Sequence, residues 1–258
     1  MKKITVIIFS LIALLAIAGC RSRVNQLPSH LRPGSPDYLV NEGIIALNAD
    51  MLPEAEKNFL RAVKKKPGLV SALYGLGIVY ISMGNIDKAE VYFKKALQFS
   101  PDSADVHNYL GIIYTEKGQY EPAKENLLIA ANSGTYSTPE NAYANLAMLE
   151  IRHNKFDSAK RYIERGIEKN KQFPPLLNAY GIVLENEGRL TEAIFYYDRA
   201  LSALGKDDVS YLINLGRVYS KTGRKEQALD ILEKALSRAP TDEVREQVRN
   251  MIKDLGKK

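Results

Sequence analysis

The 258-residue sequence has a single cysteine, so no disulfide within the chain can support its fold. Its three histidines, His30, His107 and His153, stand far apart, which argues against a histidine-rich metal centre. Neither sign of charge dominates. Lys+Arg at 36 against Asp+Glu at 30 gives a net charge of +6, too mild to imply a nucleic-acid partner. No apolar run reaches the about 20 residues that a membrane-spanning helix needs. Walker, HExxH and GxSxG motifs are missing, and Gly75-Leu76-Gly77 lacks both a preceding strand and a third glycine. Lys64-Lys65-Lys66 stands before Pro67 and reads as a solvated helix end that complements the helix dipole. These absences lead us to expect no catalytic residue, no metal, no cofactor and no small-molecule substrate. A hydrophobic fraction of 45% is enough for a packed core and excludes global disorder.

The amino terminus reads as an address. Lys2 and Lys3 precede a 15-residue apolar run, Ile4 to Ala18, interrupted only by Thr5 and Ser10. That is short for a spanning helix and right for a secretory signal. The run ends in Ile17-Ala18-Gly19-Cys20, and the chain's one cysteine stands there. This resembles the lipobox of bacterial lipoproteins. The resemblance implies cleavage of residues 1–19 and a diacylglyceryl group and an N-acyl chain on Cys20, enough acyl chains for stable membrane anchoring. Removing Lys2 and Lys3 leaves 34 basic against 30 acidic residues. Arg21, in the place of the aspartate that favours inner-membrane retention in enteric bacteria, resembles an outer-membrane lipoprotein facing the periplasm. Residues 20–35 contain Pro28, Pro33, Gly34 and Ser35 without helical period and read as a tether. Extended, it would reach up to roughly 50 Å.

The rest of the chain repeats. Gly43, Gly77, Gly111, Gly181 and Gly216 recur in phase, with Ala147 in the fourth copy. Twelve residues after each comes an alanine: Ala55, Ala89, Ala123, Ala159, Ala193 and Ala228. Four further on stands a bulky residue: Phe59, Phe93, Leu127, Ile163, Tyr197 or Leu232. Three beyond that stand Ala62, Ala96, Ala130, Gly166, Ala200 and Ala235. Pro67, Pro101 and Pro240 close three of the copies. Small residues let paired helices approach, and the bulky one fills the gap between them. Gly84, Gly118, Gly188 and Gly223 stand where a first helix must turn into a second. The pattern resembles the tetratricopeptide repeat over residues 36–242, divided as 36–69, 70–103, 104–139, 140–173, 174–208 and 209–242. The resemblance implies an all-α, right-handed superhelical solenoid of six helix-turn-helix repeats. Residues 243–258 read as a capping helix and tail, with Val244, Val248, Ile252 and Leu255 at helical spacing. The fourth copy departs most: it has Glu150 where Tyr80, Tyr114 and Tyr219 stand in other copies, and no closing proline.

The family presents the first helix of each repeat on its concave face. Carried over residue by residue, that face holds Asn41, Ile44, Tyr74, Ile78, Asn108, Tyr109, Ile112, Asn145, Met148, Asn178, Ile182, Asn214 and Arg217. An apolar stripe flanked by Asn and Tyr suits a protein or peptide partner, held by side-chain burial and by amides pairing with its backbone. The stripe also has a purely structural reading, in which neighbouring helices partly cover it. Few cations lie near, Arg152, Arg217 and Lys221 only, so acidic tails suit the face poorly.

A narrower resemblance runs through repeats three and four. Asn108-Tyr109-Leu110-Gly111, Tyr114 and Gly118-Gln119-Tyr120 are followed by a two-residue insertion with Tyr136, then Ala142-Tyr143-Ala144-Asn145-Leu146-Ala147. With the lipobox and six repeats, this resembles the type IV pilus biogenesis and stability lipoproteins, the PilF/PilW family of outer-membrane pilotins. The resemblance implies a secretin partner and a role in its outer-membrane targeting and multimerisation. Ala147, where that family more often has glycine, departs from it. A cell-envelope scaffold or adaptor recruiting peptidoglycan enzymes or a polysaccharide-export complex would share every one of these features.

Overall fold

The computed structural model describes Pro28 and residues 32–256. The signal sequence, Cys20, His30 and most of the tether lie outside the described residues. Within them the chain forms thirteen α-helices and no strand. The first-repeat pair is α1 (Pro36–Asn48) and α2 (Leu52–Lys65), and the second is α3 (Val70–Ser82) and α4 (Ile86–Phe99). Then come α5 (Ala104–Glu116) with α6 (Tyr120–Asn132), and α7 (Pro139–Arg152) with α8 (Phe156–Lys169). The last pairs are α9 (Pro174–Asn186) with α10 (Leu190–Leu204), and α11 (Val209–Lys221) with α12 (Lys225–Ser237). The expected cap is α13 (Asp242–Leu255). The chain divides in the first turn of α5 into two compact units, one ending at Val106 and the other beginning at His107. None of the described helices is long and apolar enough to cross a membrane.

In the first unit α1 packs on α2 and α3 on α4, while α2 and α3 join the two repeats. In the second unit α7 packs on α8, α9 on α10 and α11 on α12. Successive pairs there join through α6–α7, α8–α9, α10–α11 and finally α12–α13. Some helix starts are capped by a side chain that accepts from a free backbone N–H: Ser35 from Tyr38, Asn85 from Lys88, Asp208 from Tyr211 and Thr241 from Val244.

The packing explains the phased residues. All six alanines from Ala55 to Ala228 are fully buried, and so are the bulky residues four positions on. Gly43 faces Phe59 so closely that a Cβ there would lie 2.7 Å from the ring; Gly77 meets Phe93 at 2.5 Å and Gly181 meets Tyr197 at 2.5 Å. Burying each such large side chain contributes about 1.5–3 kcal/mol, and glycine is what admits it. At Gly111 the added Cβ would fall inside Leu127, against Cγ rather than the chain's end. Gly111→Ala is therefore expected to lower the unfolding free energy by about 1–3 kcal/mol, although alanine is the better helix former. Urea denaturation reads this directly, and an unchanged midpoint would mean that α5 and α6 separate without penalty.

The turn between paired helices needs one left-handed residue. Gly118 supplies it at φ 70°, as do Gly84, Gly188 and Gly223. The first and fourth repeats have no glycine at this point. Asp50 at φ 57° and Asn154 at φ 56° take its place. These short polar residues tolerate that conformation better than other L-residues.

Candidate protein-binding surface

Residues three and four apart share one side of a helix, so positions 5, 9, 12 and 13 of each repeat line up along its first helix. In the first unit this side carries Asn41 and Ile44 on α1, both exposed, with Ile44 at 44%. On α3 it carries Tyr74 and Ile78, both half-buried. The Tyr74 ring meets Phe93 edge-on at 5.9 Å, so its aromatic body belongs partly to the core.

In the second unit the same side carries Ile112, Met148 and Ile182, all half-buried, with Tyr109, Asn145, Asn214 and Arg217 beside them. Asn108 and Asn178 differ from expectation. They are 6% and 7% exposed, and their side-chain oxygens are occupied. Asn145 Nδ2 donates to Asn108 Oδ1 at 2.9 Å, and Asn214 Nδ2 donates to Asn178 Oδ1 at 3.1 Å. Position 5 of one repeat thus lies under position 6 of the next, and the two amides form a strut between repeats. The oxygens of Asn108 and Asn178 hold the array together rather than waiting for a partner's backbone. Between the two struts the same pair of positions is Ala144 and Ala179, at 4% and 0% exposure.

At the C-terminal end of this side Glu185 gathers the local charge. Its carboxylate, only 7% exposed, accepts from Arg217 Nη2 at 2.8 Å, from Lys221 Nζ at 2.9 Å and from the Tyr197 hydroxyl at 3.0 Å. Burial, together with the Glu185 charge, holds the Tyr197 hydroxyl far above the usual phenol range. Arg217 also donates to Asn214 Oδ1 at 3.0 Å. Its guanidinium borders a cleft of about 190 Å³ with Phe156, Ile182 and Lys221. It also borders one of about 380 Å³ with Ile213, Pro240 and Val244. The second cleft is lined from α11 and α13, and Ser210, Asn214 and Gln247 stand among its apolar side chains. Glu185 was not among the residues singled out in the sequence; its place three residues after Ile182, at position 12 of the repeat, puts it on this side.

A second polar cluster gathers around one buried carboxylate where α6 meets α7. Glu150 is fully buried. The Tyr120 hydroxyl donates to its Oε2 at 2.9 Å, and Lys124 Nζ stands 2.7 Å from Oε1. That last contact is an ion pair without hydrogen-bond alignment, since Oε1 has no aligned donor. Lys155 Nζ sits 4.0 Å over the Tyr120 ring, and His153 packs against the ring's side at 4.4 Å. His107 is buried, with Nδ1 2.8 Å from Asn126 Oδ1, a packed histidine. Among the described residues no group of three His, Cys, Asp or Glu side chains could hold a metal ion. What the arrangement offers chemically is apolar area, amides and a charge cluster with one cation in excess, the means of holding another chain.

Tetratricopeptide-repeat models match residues 70–103, 92–125 and 174–241. No curated protein matches the chain. Among solved structures, pilF of Pseudomonas aeruginosa superposes with a TM-score of 0.71 at 21% identity, over 83% of this chain and 96% of its own. PilW, a widely conserved type IV pilus biogenesis factor, superposes with a TM-score of 0.72 at 20% identity, over 83% and 97%. The Cut9–Hcn1 hetero-tetramer of APC/C reaches 0.67 at 20% identity over 84% of this chain but only 40% of its own. Identities this low speak for the fold alone: the chain carries tetratricopeptide repeats.

Proposed function

We propose that this tetratricopeptide-repeat protein is a non-catalytic, protein-binding lipoprotein of the bacterial cell envelope that acts as a pilotin-like assembly factor for type IV pili. The observation that carries this reading is the extent and closeness of the superposition. Both pilus proteins superpose over at least 96% of their own length with TM-scores of 0.71 and 0.72, where a tetratricopeptide repeat protein from Parabacteroides merdae, covered as fully, reaches 0.58. In this reading the side built from the first helices holds a segment of a secretin. Ile112, Met148 and Ile182 supply the apolar contact, and Tyr109 and Asn145 flank it. Cys20 carries the acyl chains that keep the protein at the periplasmic face of the outer membrane.

Two experiments test this. Crosslinking in the native envelope, followed by capture of the chain and mass spectrometry, should return a secretin or another pilus component as the dominant partner. Peptidoglycan enzymes or export proteins in that place would overturn the pilotin reading in favour of the adaptor. Cys20→Ala should leave a folded protein that no longer fractionates with membranes; unchanged fractionation would remove the lipid anchor from the proposal.

A further inference from the structure

The paired helices of the first unit run antiparallel, because a short turn joins each pair. The start of α1 therefore lies beside the end of α2, and the start of α3 beside the end of α4. The described chain enters the fold at this edge, through residues 32–35. Lys64 and Lys65 end α2 there, and Lys66 follows them. All three are exposed, and none of their ammonium groups is paired among the described residues. Phe99 ends α4 at the same edge and is 55% exposed. Its ring lies over Gly68, where an added Cβ would stand 2.8 Å from it, so the phenyl group covers the link just beyond Lys66. Val91 and Lys95, both exposed, continue the row back along α4 at four-residue spacing.

The charge of the first unit is one-sided. No acidic residue occurs between Glu56 and Asp87. Asp37, Asp102 and Asp105 are the acids of this edge, against Arg61, the three lysines and Lys95. At the opposite edge, where paired helices turn into each other, stand Asp50, Glu54, Glu56 and Asp87. The helix dipole accounts for cations in a last turn. It does not account for an exposed phenyl ring beside them.

We propose that this edge is a docking surface for an anionic phospholipid membrane, with Lys64, Lys65 and Lys66 among the headgroup phosphates and Phe99 at the boundary with the acyl chains. Unpaired cations with an exposed aromatic are what such a surface holds, each cation adding to the attraction. The choice of a lipid over another anion rests on the anchor reading above. Cys20 lies twelve residues before Arg32, so an acyl chain on it keeps the bilayer within roughly 40 Å of this edge. In this pose α1 to α4 stand end-on to the membrane and their acidic edge faces away from it. The acyl chains retain the protein, and the basic edge orients its first unit.

The test uses the lipidated full chain on two kinds of vesicle, phosphatidylcholine alone or equal parts phosphatidylcholine and phosphatidylglycerol. An amine-acylating reagent is added, and mass spectrometry reads the rate at each lysine. Lys64, Lys65 and Lys66 should react about tenfold more slowly on the anionic vesicles. The difference should vanish near 1 M salt, where the screening length is about 3 Å. Lys88, exposed at the opposite edge, should react alike on both. Phe99→Asp should cut the protection to about threefold or less. If that variant does not fold, Lys64→Gln with Lys65→Gln and Lys66→Gln reads the same contact through Lys95. Equal rates on the two vesicles overturn the proposal, and protection found only in the native envelope gives the edge to a protein instead. Failure of the anchor is read separately: a chain without acyl chains leaves the phosphatidylcholine vesicles. The docking surface is then judged by whether that chain still sediments with the anionic ones.

Discussion

Lys124→Ala is expected to lower the unfolding free energy by about 3–5 kcal/mol, the usual cost of stranding a buried charge by removing its partner. Glu150 has no exposure to water, and Tyr120 would be its remaining donor. Replacing Glu150 and Lys124 together by leucine should recover most of the loss, because a buried pair and an apolar pair of similar volume are often nearly equivalent. The pH dependence has a definite sign. Glu150 holds the Lys124 ammonium well above its ordinary value of 10.5, against the opposing effect of burial. A raised folded-state value means that the contribution is complete below about pH 10.5 and is lost as pH rises through the higher folded value. The difference between parent and Lys124→Ala in urea should therefore be the same at pH 7 and pH 9 and shrink above 10.5. A difference below about 1 kcal/mol at pH 7 would mean that the pair contributes no more than an exposed one.

Ile112→Asp combined with Ile182→Asp should weaken partner capture about 100-fold or more while leaving helicity intact. Both residues are half-buried, so neither anchors the interior. Each would place a carboxylate where a docked segment needs apolar contact, and central apolar contacts typically carry about 2 kcal/mol or more apiece. The pair stands two repeats apart on the same side of the second unit, so a segment long enough to be specific must cross at least one. The readout is binding of the captured partner to immobilised chain, with circular dichroism as the check on folding. Affinity within about threefold of the parent would take the interface away from this side of the helices.

Much of the fold could be read from residue spacing because the repeat rests on steric relations that leave a fixed trace. A glycine over an aromatic, with an alanine twelve residues on, can be seen without knowing a single coordinate. The turns of the first and fourth repeats were less legible, since Asp50 and Asn154 do glycine's work without glycine's name. Glu150 stood out as a departure in the sequence, but its partner did not. Lys124 belongs to the previous repeat, and only packing of α6 on α7 brings the two within 2.7 Å. The asparagines were the least legible part of the binding surface. Helical spacing puts Asn108 and Asn178 on the proper side, yet the neighbouring repeat covers them, and single-helix periodicity knows nothing of a neighbour.

The amide struts give the second unit an uneven stiffness. Between repeats three and four, and again between five and six, a hydrogen bond ties position 5 to position 6, and sliding one first helix past the next must break it. Between repeats four and five the corresponding contact is two methyl groups, Ala144 and Ala179, with no directional bond to lose. A directional link across that joint lies elsewhere, in the partly exposed Lys160–Glu187 ion pair at 3.0 Å. Salt screens such a pair more than it does an amide hydrogen bond, so the stiffness of this joint should depend on ionic strength more than that of the strutted joints.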